Sequence, residues 1–227
     1  MSSYRHEYKY LLDSKMEQIL LIRAGGLLSL DPHVQQEGSY YIRSLYFDDY
    51  GDSCLMENEA GTDPRSKFRI RYYNRDIGRI RLEKKSKTRG MTRKESCSIT
   101  EEECRAFMEG NVPDVTEDMP PVKKALFLEM RMRSLIPKVI VSYERIPFVY
   151  PGGNVRITFD KHIASSVQIS EFLSGSYISR SVLPRGRCIL EVKWDEVLPL
   201  HIRNVMEFDR LQWTAFSKYY MCRKYHL

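Results

Sequence analysis

Residues Arg65 to Lys94 read RSKFRIRYYNRDIGRIRLEKKSKTRGMTRK. Thirteen of these residues are Lys or Arg and two, Asp76 and Glu83, are acids, so the segment carries +11 by formal charge. The whole chain carries +6, and everything outside the segment therefore sums to −5. The charge is also ordered. Lys67, Arg69 and Arg71 alternate with Phe68, Ile70 and Tyr72; Arg79, Arg81, Glu83 and Lys85 alternate with Ile80, Leu82 and Lys84. A period of two is the signature of a strand with one charged and one mostly apolar face. The segment predicts two consecutive strands joined by a turn at residues 74–78.

The same alternation recurs on both sides. Strands are expected at Tyr4–Leu11, Ser39–Tyr46, Arg93–Ile99, Lys138–Ile146, Val155–Phe159 and Cys188–Trp194. Helices are expected between some of them. One opens at the capping-box pattern Ser14-x-x-Glu17 and ends at Gly25-Gly26. A second opens at Thr100-x-x-Glu103 and stops at Gly110. A third begins at Pro120-Pro121 and is ended by Pro137, and a C-terminal one follows Pro199 with Phe208, Leu211, Phe216 and Tyr219–Tyr220 on one face. Residues 86–92 read as a loop, residues 51–64 as a loop or short helix, and residues 161–186 as irregular. Eight strands with few crossover-length helices predict an α+β fold: an antiparallel eight-stranded β-barrel tunnel, with helices around it and a C-terminal helix. Residues 1–227 are expected to form a single domain.

Composition excludes several classes. The five cysteines are odd in number and show no C-x-x-C, and the five histidines show no H-x-x-x-H, which argues against a disulfide scaffold or a zinc site. No apolar run reaches the ~18 residues of a membrane span and residues 1–10 hold no apolar leader, so the expectation is a cytoplasmic protein without its own membrane segment. The excess of positive charge points to an anionic partner. Nucleic acid is not expected, because the charged faces lack interleaved aromatics for base stacking.

Charged faces on so many strands admit two readings. On a half-buried antiparallel sheet they face solvent, and Phe68, Ile70, Tyr72, Ile80 and Leu82 form the core. In a small barrel they face inward. Repetition favours the second reading, since a solvated face mixes both signs. The inner face would then hold Arg5, Glu7 and Lys9; Arg43; Lys67, Arg69 and Arg71; Arg79, Arg81, Glu83 and Lys85; Lys94; Tyr143 and Arg145; Arg156; and Glu191 and Lys193. Burying isolated charges costs several kcal/mol each, so such a bore needs water, counterions or a polyanion. Glu7, Glu83 and Glu191 could hold a divalent metal that offsets phosphate charge.

In order along the chain stand Arg5-x-Glu7-x-Lys9-Tyr10, Ser44-Leu45-Tyr46-Phe47-Asp48, Arg69-x-Arg71-Tyr72, Leu82-Glu83-x-Lys85, Tyr143-x-Arg145, Arg156-x-Thr158-x-Asp160, Leu190-Glu191-Val192-Lys193 and Phe216-Ser217-Lys218-Tyr219. This ordered set resembles the catalytic domain of the vacuolar transporter chaperone (VTC) family, polyphosphate polymerases of the triphosphate tunnel metalloenzymes. The resemblance implies an antiparallel tunnel that binds ATP and inorganic polyphosphate, with transfer of the ATP γ-phosphate to a growing chain. It implies phosphate contacts from Lys9, Arg69, Arg71, Lys85, Lys94, Arg145 and Lys218, positioning by Tyr143, and ligation of Mn²⁺ or Mg²⁺ by Glu191. Arg5, Arg43, Arg81, Arg156 and Lys193 are further candidate substrate-binding residues from the charged faces. One departure matters: related tunnel hydrolases and cyclases open with E-x-E-x-K, and here the first Glu is Arg5, which favours the polymerase branch over triphosphate hydrolysis. The alternatives are a metal-dependent inorganic or nucleoside triphosphatase on the same fold and a non-catalytic polyphosphate- or nucleic-acid-binding module. Translocation of product would need a membrane partner.

Overall fold

The structure is a computed structural model and describes residues 5–34, 37–111 and 113–227. In chain order the elements are β1 (His6–Asp13), α1 (Ser14–Leu27), β2 (Ser29–Leu30), β3 (Tyr40–Asp48), α2 (Ser53–Glu59), β4 (Arg65–Tyr73), β5 (Ile80–Thr88), β6 (Met91–Ile99), α3 (Glu101–Met108), α4 (Pro121–Arg133), β7 (Ile136–Tyr150), β8 (Val155–Ser166), β9 (Arg180–Ser181), β10 (Arg187–Trp194), α5 (Leu200–Met206) and α6 (Lys218–Lys224). Tyr4, where the first strand is expected to start, lies outside the described residues.

Eight strands form one antiparallel path, β1-β10-β8-β7-β3-β4-β5-β6, with the short β2 and β9 attached to β7 and β8. All eight expected strands are present. The path curls until its ends approach: Arg5 bridges to Thr92, and Glu7 of β1 meets Lys85 of β5 at 3.1 Å. The result is a curled antiparallel half-barrel, the form of a tunnel wall, whose two edges come together at this bridge and this ion pair.

The apolar strand faces point outward and are covered. Phe68, Ile70 and Tyr72 of β4 and Ile80 and Leu82 of β5 share a core with Cys104 and Phe107 of α3 and with Val122, Leu126, Phe127 and Met130 of α4. A second core joins Tyr10, Leu12, Ile157, Phe159, Leu190 and Val192 to Leu20 and Ala24 of α1 and to Ile202 and Met206 of α5. Helices with one apolar stripe bury it on the sheet, which leaves the charged faces to line the interior.

Several boundaries differ from the sequence reading for local reasons. Residues 86–92 are not a loop. β5 and β6 continue toward each other and meet in a two-residue turn at Arg89 and Gly90, both with positive φ, the requirement of a tight hairpin turn. Distant Asp63 steadies that turn by accepting from the Arg89 and Gly90 N–H groups at 2.9 and 2.7 Å. α1 is capped one residue earlier than its capping-box pattern suggests, by Asp13, whose carboxylate accepts from the Met16 N–H at 2.8 Å, and it runs through Gly25 and Gly26. The Thr100–Glu103 capping box forms as expected. β7 extends past both Pro137 and Pro147; Pro137 falls where the β3–β7 register shifts, so its missing N–H is tolerated. The residues after Pro199 are not one helix: α5 ends at Glu207 in the left-handed region, and α6 begins separately behind a Ser217 cap.

α6 lies inside the curl. Its Tyr219 and Cys222 pack with Tyr46, Val139, Val141 and Tyr143 of β3 and β7. Polar ties hold it there: Tyr219 Oη to Asp48, Arg223 to both oxygens of Asp52 at 2.9 Å, and Lys224 to Glu59 at 3.0 Å. No helix among the described residues is long and apolar enough to cross a membrane.

Candidate active site

The bore contains two adjoining chambers. The outer one, about 190 Å³, is lined by Glu7, Lys9, Lys67 and Lys85 together with Arg65, Lys87 and the Trp213–Ser217 segment. The inner one, about 80 Å³, shares Lys9, Lys67, Lys85 and Ser217, and adds Arg69, Arg71, Tyr143, Arg145, Glu191, Lys193 and Lys218. Eight cations line the inner chamber, and four carboxylates, Glu7, Glu83, Asp160 and Glu191, pair with them, leaving a formal excess of four positive charges.

Seven of the cations are aimed by strands and Lys218 by the start of α6, and partners fix them. Arg69 Nε donates to Glu83 at 2.7 Å and its Nη1 donates to Tyr46 Oη at 2.9 Å. Arg71 donates to Ser44 Oγ at 2.9 Å and to Tyr143 Oη at 3.1 Å. Arg145 grips Asp160 through two parallel hydrogen bonds, 2.6 and 2.8 Å, and Lys218 Nζ reaches the same carboxylate. Lys218 and Arg145 also lie over the Tyr143 ring, 4.9 and 5.4 Å from its centroid. Lys9 pairs with Glu7 at 2.7 Å and Lys193 with Glu191 at 2.5 Å.

Burial opposes ionisation of both Glu7 and Glu191. For Glu7, Lys85, Lys9 and Lys193 outweigh it and hold the carboxyl well below the usual range; for Glu191, Lys193, Lys218, Lys9 and Arg145 do so. Lys67 is placed differently. Burial, and then the fields of Lys85 and Lys9, push its ammonium down to about 7. Burial also brings Lys85 to about 8, with Glu7 resisting the fall. These two amines surround space that favours an anion.

The structure brings together Glu7, Lys9, Arg69, Arg71, Lys85, Tyr143, Arg145, Glu191, Lys193 and Lys218 of the sequence-identified residues. Arg81, Lys94 and Arg156 instead line a separate basin of about 860 Å³. There Arg81 donates to Ser96 Oγ at 2.9 Å, and Arg156 pairs with Asp31 at 2.9 Å. Lys94, half exposed, also reaches Glu83 at 3.3 Å.

Arg5 and Arg43 lie outside the bore. Arg5 sits at the seam, paired with Asp195 at 2.8 Å, so the guanidinium expected to clamp phosphate is engaged at the rim. Arg43 is buried on the outer face, where it donates to Tyr72 Oη and to the Phe172 carbonyl. Its position in β3 is in register with Tyr72, not with Arg71, and that parity sends it outward. The three glutamates expected to share a metal do not form one cluster. Among the described residues no three His, Cys, Asp or Glu side chains converge, because Glu83 is held on β5 by Arg69 and Lys94.

Sequence reasoning placed Lys67 on the inner face and Asp160 in a motif but gave neither a role in the site. Lys67 continues the Arg69 and Arg71 alternation and stands between the chambers. Asp160, fully buried, closes the Arg156-x-Thr158-x-Asp160 motif and anchors two of the cations. A single carboxylate after alternating residues resembles a strand terminator, which hid its role.

The donor set fits a hard divalent cation that keeps most of its ligands from water and phosphate. Such ions take one or two carboxylates plus substrate oxygens. Glu7 and Glu191 supply two, tied together through Lys9 and Lys193. Thr158 lies in register with Glu191 across the β8–β10 pair, and its buried hydroxyl has no hydrogen-bond partner among the described residues.

Comparison with known proteins agrees with this geometry. The sequence pattern of the VTC domain matches residues 4–226. The chain belongs to the VTC domain family. Its fold is shared with two solved structures. A candidate adenylyl cyclase from Hippeastrum, described as having a dominant triphosphatase activity, superposes with a TM-score of 0.57 at 13% identity, covering 99% of this chain and 97% of its own. A candidate adenylate cyclase from Bacillus halodurans superposes with a TM-score of 0.51 at 14% identity, covering 91% and 87%. Comparison with curated protein sequences finds no match.

Proposed function

We propose that this chain is a metal-dependent phosphotransferase that moves the ATP γ-phosphate onto a growing inorganic polyphosphate chain. The observation that carries this reading is the enclosed bore with eight cations, four carboxylates and a formal excess of four positive charges. An excess of that size in a desolvated space calls for a multiply charged phosphate chain. Membership of the family supports it, as does the absence of any need for a protein nucleophile: phosphoryl transfer depends on positioning and charge stabilisation.

In this reading Arg69, Arg71, Arg145, Lys9, Lys85, Lys218 and Lys193 hold phosphate oxygens. The arginine forks bind in two-pronged fashion and the lysines act as point charges. Tyr46, Ser44, Tyr143, Glu83 and Asp160 keep those cations in place before substrate arrives. A terminal oxygen of the bound chain attacks the γ-phosphorus, the bond from that phosphorus to the β-phosphate bridging oxygen breaks, and ADP leaves with the electron pair. Glu7 and Glu191 would hold Mn²⁺ or Mg²⁺, which would supply charge neutralisation at phosphate oxygens when bound. Lys67 would take up a proton as the polyanion enters. Arg81, Lys94 and Arg156 would guide phosphate at the other basin.

The test is product analysis of purified protein with ATP and Mn²⁺. ADP together with a polyphosphate ladder is the expected outcome. ADP and orthophosphate without polymer would identify triphosphate hydrolysis. Retention of polyphosphate with no turnover would identify a binding module.

A further inference from the structure

Trp213 stands apart from the phosphate machinery and is not explained by it. The chain has two tryptophans. Trp194 is buried, with His6 stacked on its ring at 5.2 Å and Tyr8 set edge-on at 4.9 Å. Trp213 is 60% exposed, and it lines the outer chamber beside Lys9, Lys67 and Lys85. A large exposed aromatic costs solvation unless something covers it, and its side chain is not needed to hold its own segment. The backbone is already fixed: Trp213 bridges to Tyr10, and the Thr214 N–H donates to the Lys9 carbonyl at 2.9 Å.

The volume of the chamber adds a second constraint. At about 190 Å³ the outer chamber falls below the ~300 Å³ at the lower end of ordinary small-molecule sites. It has room for a phosphate chain, and a nucleoside attached to that chain must stay at the mouth. The mouth offers an indole tethered one residue from the backbone partner of Lys9, and the amide of Asn58, a donor and an acceptor, lines the same cavity.

We propose that Trp213 is the platform on which the nucleobase of the triphosphate donor stacks, so that it selects a nucleotide over a bare phosphate chain at the outer entrance. The inference rests on the reading of the bore as a triphosphate site and adds the element that tells ATP from tripolyphosphate.

The experiment compares binding of ATP and of inorganic tripolyphosphate, by calorimetry, to the full chain and to its Trp213→Ala and Trp213→Phe variants; Trp213 fluorescence is read separately in a Trp194→Phe protein that keeps Trp213 as its one tryptophan. Removing a stacked base partner should weaken ATP by about tenfold, leave tripolyphosphate within about twofold, and be largely rescued by Phe. ATP, and not tripolyphosphate, should quench Trp213 emission. Equal weakening of both ligands, or of neither, overturns the proposal, as does wild-type protein that binds ATP no more tightly than tripolyphosphate. If wild-type protein binds neither ligand, the phosphate-site reading itself is wrong and the stacking proposal falls with it.

Discussion

Arg145 and Asp160 face each other across the β7–β8 pair, joined by two hydrogen bonds of 2.6 and 2.8 Å, and the same carboxylate holds Lys218 of the C-terminal helix. One buried anion thus fixes a cation on the wall and a cation on the plug. Burial works against ionisation of Asp160, but Arg145 and Lys218 hold its pKa below the ordinary carboxylate value. Asp160→Asn keeps the shape and removes the charge, leaving Arg145 and Lys218 with Glu191, 3.7 Å from Arg145, as their nearby counter-charge. The expected loss is about 3–5 kcal/mol of folding stability, read as a lower midpoint in urea or heat. Added tripolyphosphate should restore part of it by supplying the missing negative charge.

Anion binding should be proton-linked. Lys67 and Lys85 titrate near 7 and 8 because burial and neighbouring cations disfavour their charged forms. A bound phosphate chain reverses that field and raises both values, so binding takes up protons. Affinity for tripolyphosphate should rise as pH falls from about 9 to 6, beyond what phosphate's own titration explains. Calorimetry in buffers of different ionisation enthalpy measures the uptake. Lys67→Met should remove part of it; unchanged proton uptake in that variant would refute the assignment.

Arg43 is expected to be structural. Its guanidinium lies over the Tyr72 and Tyr177 rings, 5.4 and 4.9 Å from their centroids, and donates to the Phe172 carbonyl at 3.1 Å. Arg43→Ala should lower stability by roughly 1–3 kcal/mol through orphaned polar groups and lost packing. Tripolyphosphate affinity of the folded fraction should stay within about twofold. Arg71→Ala should show the opposite balance, with affinity falling at least tenfold. Isothermal titration on both variants separates the roles.

The metal assignment separates the glutamates. Glu191→Gln and Glu7→Gln should each weaken Mn²⁺-dependent turnover by at least tenfold. Glu83→Gln should act by loosening Arg69, which donates to Glu83 at 2.7 Å, and its defect should not be relieved by higher Mn²⁺. Turnover measured across a Mn²⁺ series distinguishes the two behaviours. Equal relief for all three variants would contradict the separation.

The fold was legible because period-two alternation is a property of the backbone: charged Arg69 and Arg71 had to share one face, and apolar Ile70 and Tyr72 the other. The direction of that face came from repetition across strands. Arg43 was misread because a single cation on an otherwise apolar strand gives no parity, and only its register with Tyr72 places it outside. Arg5 follows the inward parity of Glu7 and Lys9, yet the curl ends at that point and Asp195 claims it; where a sheet stops closing is a tertiary fact. Glu83 looked like a metal ligand from its position among cations, and its partners show it to be the counter-ion of Arg69 and Lys94. Lys67 and Asp160 carried the right pattern, but burial, which gives both their importance, is invisible in sequence.

The proposed activity is growth of a phosphate chain inside this bore. The most direct measurement gives purified protein a short polyphosphate primer with γ-labelled ATP and Mn²⁺, and resolves the labelled products by length. Label should appear in primers extended by single units, in step with ADP release, and should be lost with Arg71→Ala. Label recovered wholly as orthophosphate, with primers unchanged, would contradict the proposed activity.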